Sequence, residues 1–166
     1  MDKRKRLRLP DFDYSSNGAY FVTVCVKDMQ CVLSSVTVGV GALDDPKIKL
    51  TETGIIVENE IKKMNAVYNE IQVNHYCIMP NHIHLIIEIQ NDSLNGSSGA
   101  PTPTNSAVAR YVSTLKRFVN KKTKTKLWQR GYHDHIIRDE YDYMYHFQYI
   151  DENPKKWLMG KDEYYA

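Results

Sequence analysis

Residues 76–89, Tyr-Cys-Ile-Met-Pro-Asn-His-Ile-His-Leu-Ile-Ile-Glu-Ile, limit what this chain can fold into more than any other stretch. The run after Asn81 is rich in β-branched residues and lacks helical spacing, so it predicts a strand. Side chains alternate across a strand. His82 and His84 therefore share one face, while Ile83, Leu85, Ile87 and Ile89 share the other and must be buried. Two adjacent imidazoles make half a metal site. Taken alone, the pair reads slightly better as two ordinary histidines on a sheet face.

The flanking segments supply the rest of a sheet. A strand is expected over 20–27, and shorter β pieces over 31–50, broken by Gly39, Gly41 and Asp44-Asp45-Pro46, make a hairpin-like excursion. Thr51 or Thr53 caps the next helix, which carries Ile55, Ile56, Glu58, Glu60, Ile61 and Met64 as an apolar stripe with a charged back and ends near Tyr68. A strand over 71–79 meets the histidine strand across Pro80-Asn81, which predicts an antiparallel pair joined by a loop slightly wider than two residues. Residues 91–105 read as a flexible surface loop.

Ser106 then caps a helix with Val108, Tyr111, Val112, Leu115, Phe118 and Val119 on one face. A strand over 132–138 precedes a helix from about 139 to 153, stopped by Pro154. This order predicts one α+β domain over 1–166: a ferredoxin-like antiparallel sheet with helices mainly on one face and an extra C-terminal helix.

The net charge of +2 decides little, but its distribution is uneven. Residues 1–10 form a basic arm with Lys3, Arg4, Lys5, Arg6 and Arg8. Lys116, Arg117, Lys121 and Lys122 begin a second basic run, followed by Trp128, Arg130 and Tyr132. Positive charge interleaved with aromatics suits a phosphate backbone with unstacked bases, whereas a charge run by itself is usually a solvated face. Cys25, Cys31 and Cys77 form no Cys-x-x-Cys and read as reduced thiols. No apolar run is long enough to cross a bilayer, which points to a soluble cytoplasmic protein. On the last helix Tyr149 and Asn153 lie one turn apart with His146 on roughly the same face, and Tyr143, Phe147 and Ile150 form the docking stripe.

Met79-Pro80-Asn81-His82-Ile83-His84-Leu85, then Leu127-Trp128-Gln129-Arg130-Gly131-Tyr132 with Ile137-Arg138, then Tyr149-Ile150-Asp151-Glu152-Asn153-Pro154 occur in one order, after a first strand that includes Tyr20-Phe21-Val22-Thr23. This ordered set resembles the REP-associated tyrosine transposases, a branch of the single-tyrosine HUH endonucleases. The resemblance implies a ferredoxin-like fold and transesterification on single-stranded or hairpin DNA through a 5′-phosphotyrosine. It makes Tyr149 the nucleophile and His82, His84 and Asn153 the ligands of Mn²⁺ or Mg²⁺, on a monomer rather than a dimer. Lys3, Arg4, Lys5, Arg6, Arg8, Lys116, Arg117, Lys121, Lys122 and Arg130 are then DNA contacts. Cleavage followed by rejoining needs no ATP, and no Gly-x-x-x-x-Gly-Lys loop occurs. Two other readings use the same residues. One is a non-catalytic module that binds hairpin DNA or RNA. The other is a metal-dependent hydrolase in which His133, His135 or His146 adds a third ligand to the histidine pair. Tyr145, one turn before Tyr149, is the alternative nucleophile.

Overall fold

A computed structural model describes residues 17–39, 41, 45–90 and 106–165. The basic arm and the 91–105 loop lie outside the described residues.

Four strands, β1 (Gly18–Cys25), β4 (Ile71–Ile78), β5 (His82–Ile89) and β6 (His133–Ile137), form an antiparallel sheet in the order β4-β5-β1-β6. Between β1 and β4 lie β2 (Ser34–Thr37), β3 (Lys47–Leu50) and α1 (Glu52–Val67), with β2 and β3 paired as a separate hairpin. Helix α2 (Ala107–Thr123) precedes β6, and α3 (Glu140–Leu158) follows it. The sheet order is that of a ferredoxin-like fold, with α3 as the added helix.

The alternation in β5 divides the molecule. Ile83, Leu85, Ile87 and Ile89 pack with Tyr20, Val22 and Val24 of β1 under α1 and α2. On the other face Ile86 and Cys77 pack with Ile150 and Trp157 of α3. Each fully buried branched residue removes enough apolar surface from water to contribute about 2 kcal/mol. The β4–β5 connection is the three-residue 79–81 loop, pinned where Val26 N and Leu33 N donate to Asn81 O and Pro80 O at 2.8 and 3.0 Å. In β4 the register shifts between Gln72 and His75, and Asn65 serves both backbone groups of Val73, at 2.8 and 2.9 Å.

Three details depart from the sequence expectation. The buried stripe of α1 is Val57, Glu60, Ile61 and Met64, and Ile55 is exposed. Glu60 is tolerated inside because the Lys122 ammonium pairs with it. Helix α3 also does not stop at Pro154 but continues to Leu158. Proline in a helix costs about 3 kcal/mol. Here Pro154 is itself buried and the next turn delivers Trp157 into the core under α3, so tertiary burial outweighs the lost backbone bond.

Thr51 caps α1 by accepting from Gly54 N at 3.1 Å, and its hydroxyl reaches Leu33 O at 2.9 Å. The helix start is thereby pressed against residues 32–33. A Cβ on Gly54 would stand 2.0 Å from Leu33 O. Gly54→Ala, which gains helix propensity in an open helix, should here lower stability by about 1–3 kcal/mol through overpacking. Urea unfolding checks the sign: a stabilised variant would contradict the contact.

Candidate active site

The strand registers bring the site together on the face covered by α3. Thr23 of β1 stands opposite His84 on one side and His133 of β6 on the other, and Phe21 stands between Ile86 and His135. His82 and His84, both fully buried, bring their Nε2 atoms to 3.0 Å. Two nitrogens about 2.1 Å from one cation at a right angle stand about 3.0 Å apart, so the pair suits neighbouring positions of an octahedral ion.

Their outer nitrogens are held by oxygen. Asn81 Nδ2 donates to Tyr164 O at 2.7 Å, which leaves Oδ1 to accept from His82 Nδ1 at 2.8 Å. His82 therefore carries its proton on Nδ1 and keeps a lone pair on Nε2. His84 Nδ1 lies 2.8 Å from the Thr23 hydroxyl, which serves either tautomer. Burial pushes the His82 pKa down to about 4 and His84 well below the ordinary histidine range. Both rings are neutral at physiological pH, the form that binds a metal.

Helix α3 contributes Asn153 and Tyr149. Asn153 is fully buried and faces His82 and Asp162 closely enough to affect the ionisation of both, yet among the described residues neither amide atom reaches a partner in full hydrogen-bond geometry. A buried amide without a well-formed hydrogen bond, beside two neutral imidazoles whose Nε2 atoms converge, is what a cation ligand set looks like before the ion binds, so these residues fit a divalent metal. The Tyr149 ring meets His84 edge-on at 5.4 Å and Phe21 at 5.7 Å, while Lys156 Nζ lies 4.7 Å over its face. Burial, reinforced by Glu163, Asp162 and Tyr164, pushes its phenol above the usual value, so it is protonated at rest.

Residues 159–165 were not legible as part of the site. After α3 the chain turns at Gly160, which takes a φ of 63° that few other residues adopt, and runs back over the histidines. The Tyr164 ring lies tilted against His82 at 4.6 Å and edge-on to His84 at 5.8 Å, and Asp162 Oδ1 accepts from Tyr164 N at 2.7 Å.

The other expected residues divide. His135 and His146 gather around Asp142 instead of joining His82 and His84, because His135 lies opposite Phe21, one row along the sheet. Among the described residues the His133 ring approaches the Tyr164 ring, at 6.4 Å. Tyr145 is exposed at the rim of the recess that Tyr149 lines. Lys116 lends its ammonium to Gln129 O, at 2.8 Å, and to Gly131 O, while Lys122 is committed to Glu60. Arg117 and Lys121 are exposed on α2, across the sheet from the histidines. Arg130 is exposed on the 127–131 loop, which bonds to Lys27 and Cys25 at the sheet end where β5 begins.

No family model matches the chain. An uncharacterised protein of Haemophilus influenzae is 28% identical over 93% of this chain and 89% of its own length. A second protein of that organism, described as a "Putative REP-associated tyrosine transposase", is 23% identical over 87% of this chain and 74% of its own length. Among solved structures, a REP-associated tyrosine transposase bound to a REP hairpin superposes with a TM-score of 0.57 at 20% identity, covering 94% of this chain and 74% of that one.

The two depressed histidines link stability to pH. Between the ordinary value of 6.5 and about 4, an unfolded His82 binds a proton that the folded one refuses. Stability is therefore full above 6.5 and falls as pH drops through that window. In EDTA, the contribution of His82 should shrink by about 2–3 kcal/mol between pH 7 and 4.5. Urea unfolding of wild type and His82→Gln at both pH values measures it, and equal losses in the two proteins would refute it.

Proposed function

We propose that this chain, a relative in sequence and fold of the REP-associated tyrosine transposases, is a transposase that cuts and rejoins single-stranded DNA next to a hairpin, with Tyr149 as nucleophile. The observation that carries this reading is the junction of three features at one point. The Tyr149 ring meets His84 edge to face, the Nε2 atoms of His82 and His84 converge, and a buried Asn153 amide stands beside them with no well-formed hydrogen bond among the described residues.

In the reaction the Tyr149 oxygen attacks phosphorus in line, its bond to phosphorus forms, and the bond to the 3′-oxygen breaks. The DNA keeps a free 3′-hydroxyl on one side and a 5′-phosphotyrosine on the other. A second 3′-hydroxyl reverses the step. The energy of the phosphodiester is conserved throughout, so no nucleotide cofactor is needed. A divalent ion, Mn²⁺ or Mg²⁺, held by His82, His84 and Asn153, would supply Lewis-acid stabilisation of the charge developing on phosphate. The protein's own groups do the rest. Asn81 and Thr23 orient the two imidazoles, Phe21 fixes the Tyr149 ring, and Lys156 favours negative charge on the phenol by standing over it.

Substrate affinity rests on charges outside this pocket. Arg130, Arg117 and Lys121 are exposed and free to meet phosphates, with the 1–10 arm as a further contributor. Lys116 and Lys122 contribute mainly by holding the fold around those residues.

A gel assay for a denaturation-resistant protein–DNA adduct, using single-stranded oligonucleotides from the flanks of the gene, tests the reading. Wild type with Mn²⁺ should form the adduct, and EDTA, Tyr149→Phe or His82→Ala should abolish it while hairpin binding persists. Binding without any adduct across the pool would favour the non-catalytic module instead.

A further inference from the structure

On the reading that Tyr149 attacks DNA, we propose that His146, held by Asp142, is the acid–base residue that takes the Tyr149 proton during attack and returns it when the phosphotyrosine is resolved. His146 precedes Tyr149 by three positions on α3, and both line one recess of about 150 Å³ that Phe21, His84 and Tyr145 also line, the Tyr145 ring standing edge-on to His146 at 5.2 Å. The His146 ring packs against Phe21 at 4.6 Å, and Phe21 in turn touches His84 at 5.2 Å and Tyr149 at 5.7 Å. One phenylalanine thus sets the spacing of the three functional rings.

The hydrogen bonds of His146 decide which nitrogen can react. Its Nδ1 is 2.9 Å from the Asp142 carbonyl oxygen and 3.1 Å from Asp142 Oδ1. Both oxygens only accept, so Nδ1 carries the hydrogen and Nε2 carries the lone pair. Nε2 has no partner among the described residues and sits on the ring edge away from Asp142. This is the arrangement in which a carboxylate steadies a transient imidazolium while the far nitrogen handles a proton.

Asp142 is fixed as firmly as that role needs. Its carboxylate accepts from His135 Nε2 at 2.9 Å and from Arg138 N at 3.0 Å, and its own N–H is bonded to the helix cap Asp139 at 2.8 Å. Although its slight burial acts upward, the bonds from His135 and Arg138 hold its pKa below the ordinary carboxylate value, so it stays charged. His135 stacks on His146 at 4.5 Å and limits rotation of the ring.

His135, Asp142 and His146 also stand close enough to cradle a cation. A cation held through His146 Nδ1 would displace the hydrogen bond to the Asp142 carbonyl, whereas the acid–base role uses that bond as it stands. In the forward step the phenol proton moves to His146 Nε2 as the Tyr149 oxygen bonds to phosphorus, and the departing 3′-oxygen takes a proton from water. The imidazolium then releases its proton to solvent, and the overall exchange of one phosphodiester for another neither gains nor loses protons. Resolution runs the same transfers backward.

The test is the single-turnover rate of adduct formation by the full chain with Mn²⁺ and a cleavable hairpin oligonucleotide, for wild type, His146→Ala and the more conservative His146→Gln. Both variants should be slower by about 10²–10⁴-fold, with Mn²⁺ and hairpin affinities unchanged, and added imidazole should restore much of the rate to His146→Ala. Wild-type rates in either folded variant would overturn the assignment. So would weakened Mn²⁺ binding, or slowing that does not respond to imidazole, since those mark a ligand or a packing role. A wild-type protein that forms no adduct removes the transesterification reading itself, and this assignment with it.

Discussion

The antiparallel pairing of β1 with β5 fixes the position of every other part of the site. Its register sets Thr23 against His84 and Cys25 against His82, and every second residue of both strands then enters the α1–α2 core. A slip of one residue would drive two imidazoles into that core and turn four large aliphatic side chains into the site under α3. Apolar burial on one face thus enforces the geometry of polar chemistry on the other. The sheet itself is the boundary between them, with α1 and α2 sealing one side and α3 bringing its tyrosine and asparagine to the other.

Strong periodicity made part of this legible from the residues alone. The two-residue repeat of 82–89 gives the two faces of β5, and the spacing of Tyr143, Phe147 and Ile150 gives the docking stripe that turns Tyr149 and Asn153 toward the histidines. Partners distant in sequence were not legible. Thr23 meets His84 across 61 positions and Asn81 meets the Tyr164 carbonyl across 83, and no local pattern predicts either contact. The helix end at Pro154 was misread for a related reason. Propensity sees a missing N–H, while the burial of Trp157 that outweighs it depends on β4 and β5.

The basic run of α2 carries a similar lesson about charge. Counted along the sequence, Lys116, Arg117, Lys121 and Lys122 are one cluster, but in the folded chain they have two kinds of employment. Lys122 neutralises a carboxylate that the α1–α2 interface has buried, and Lys116 gathers the carbonyls of the 127–131 loop. Burial lowers the pKa of Lys116 to about 8, as expected of an ammonium drawn out of water to act as a structural clamp. Positive residues in such positions shape the surface that others present.

Asn81 joins two parts of the molecule through one rigid plane. Its amide nitrogen holds the carbonyl of Tyr164 in the returning tail, and its amide oxygen holds Nδ1 of His82. A planar amide cannot reorient one end without moving the other. The placement of the tail and the tautomer of His82 are therefore thermodynamically coupled, and such coupling is reciprocal: whatever stabilises the Nδ1–H form of His82 also stabilises the closed tail, to the same extent that tail closure stabilises that tautomer.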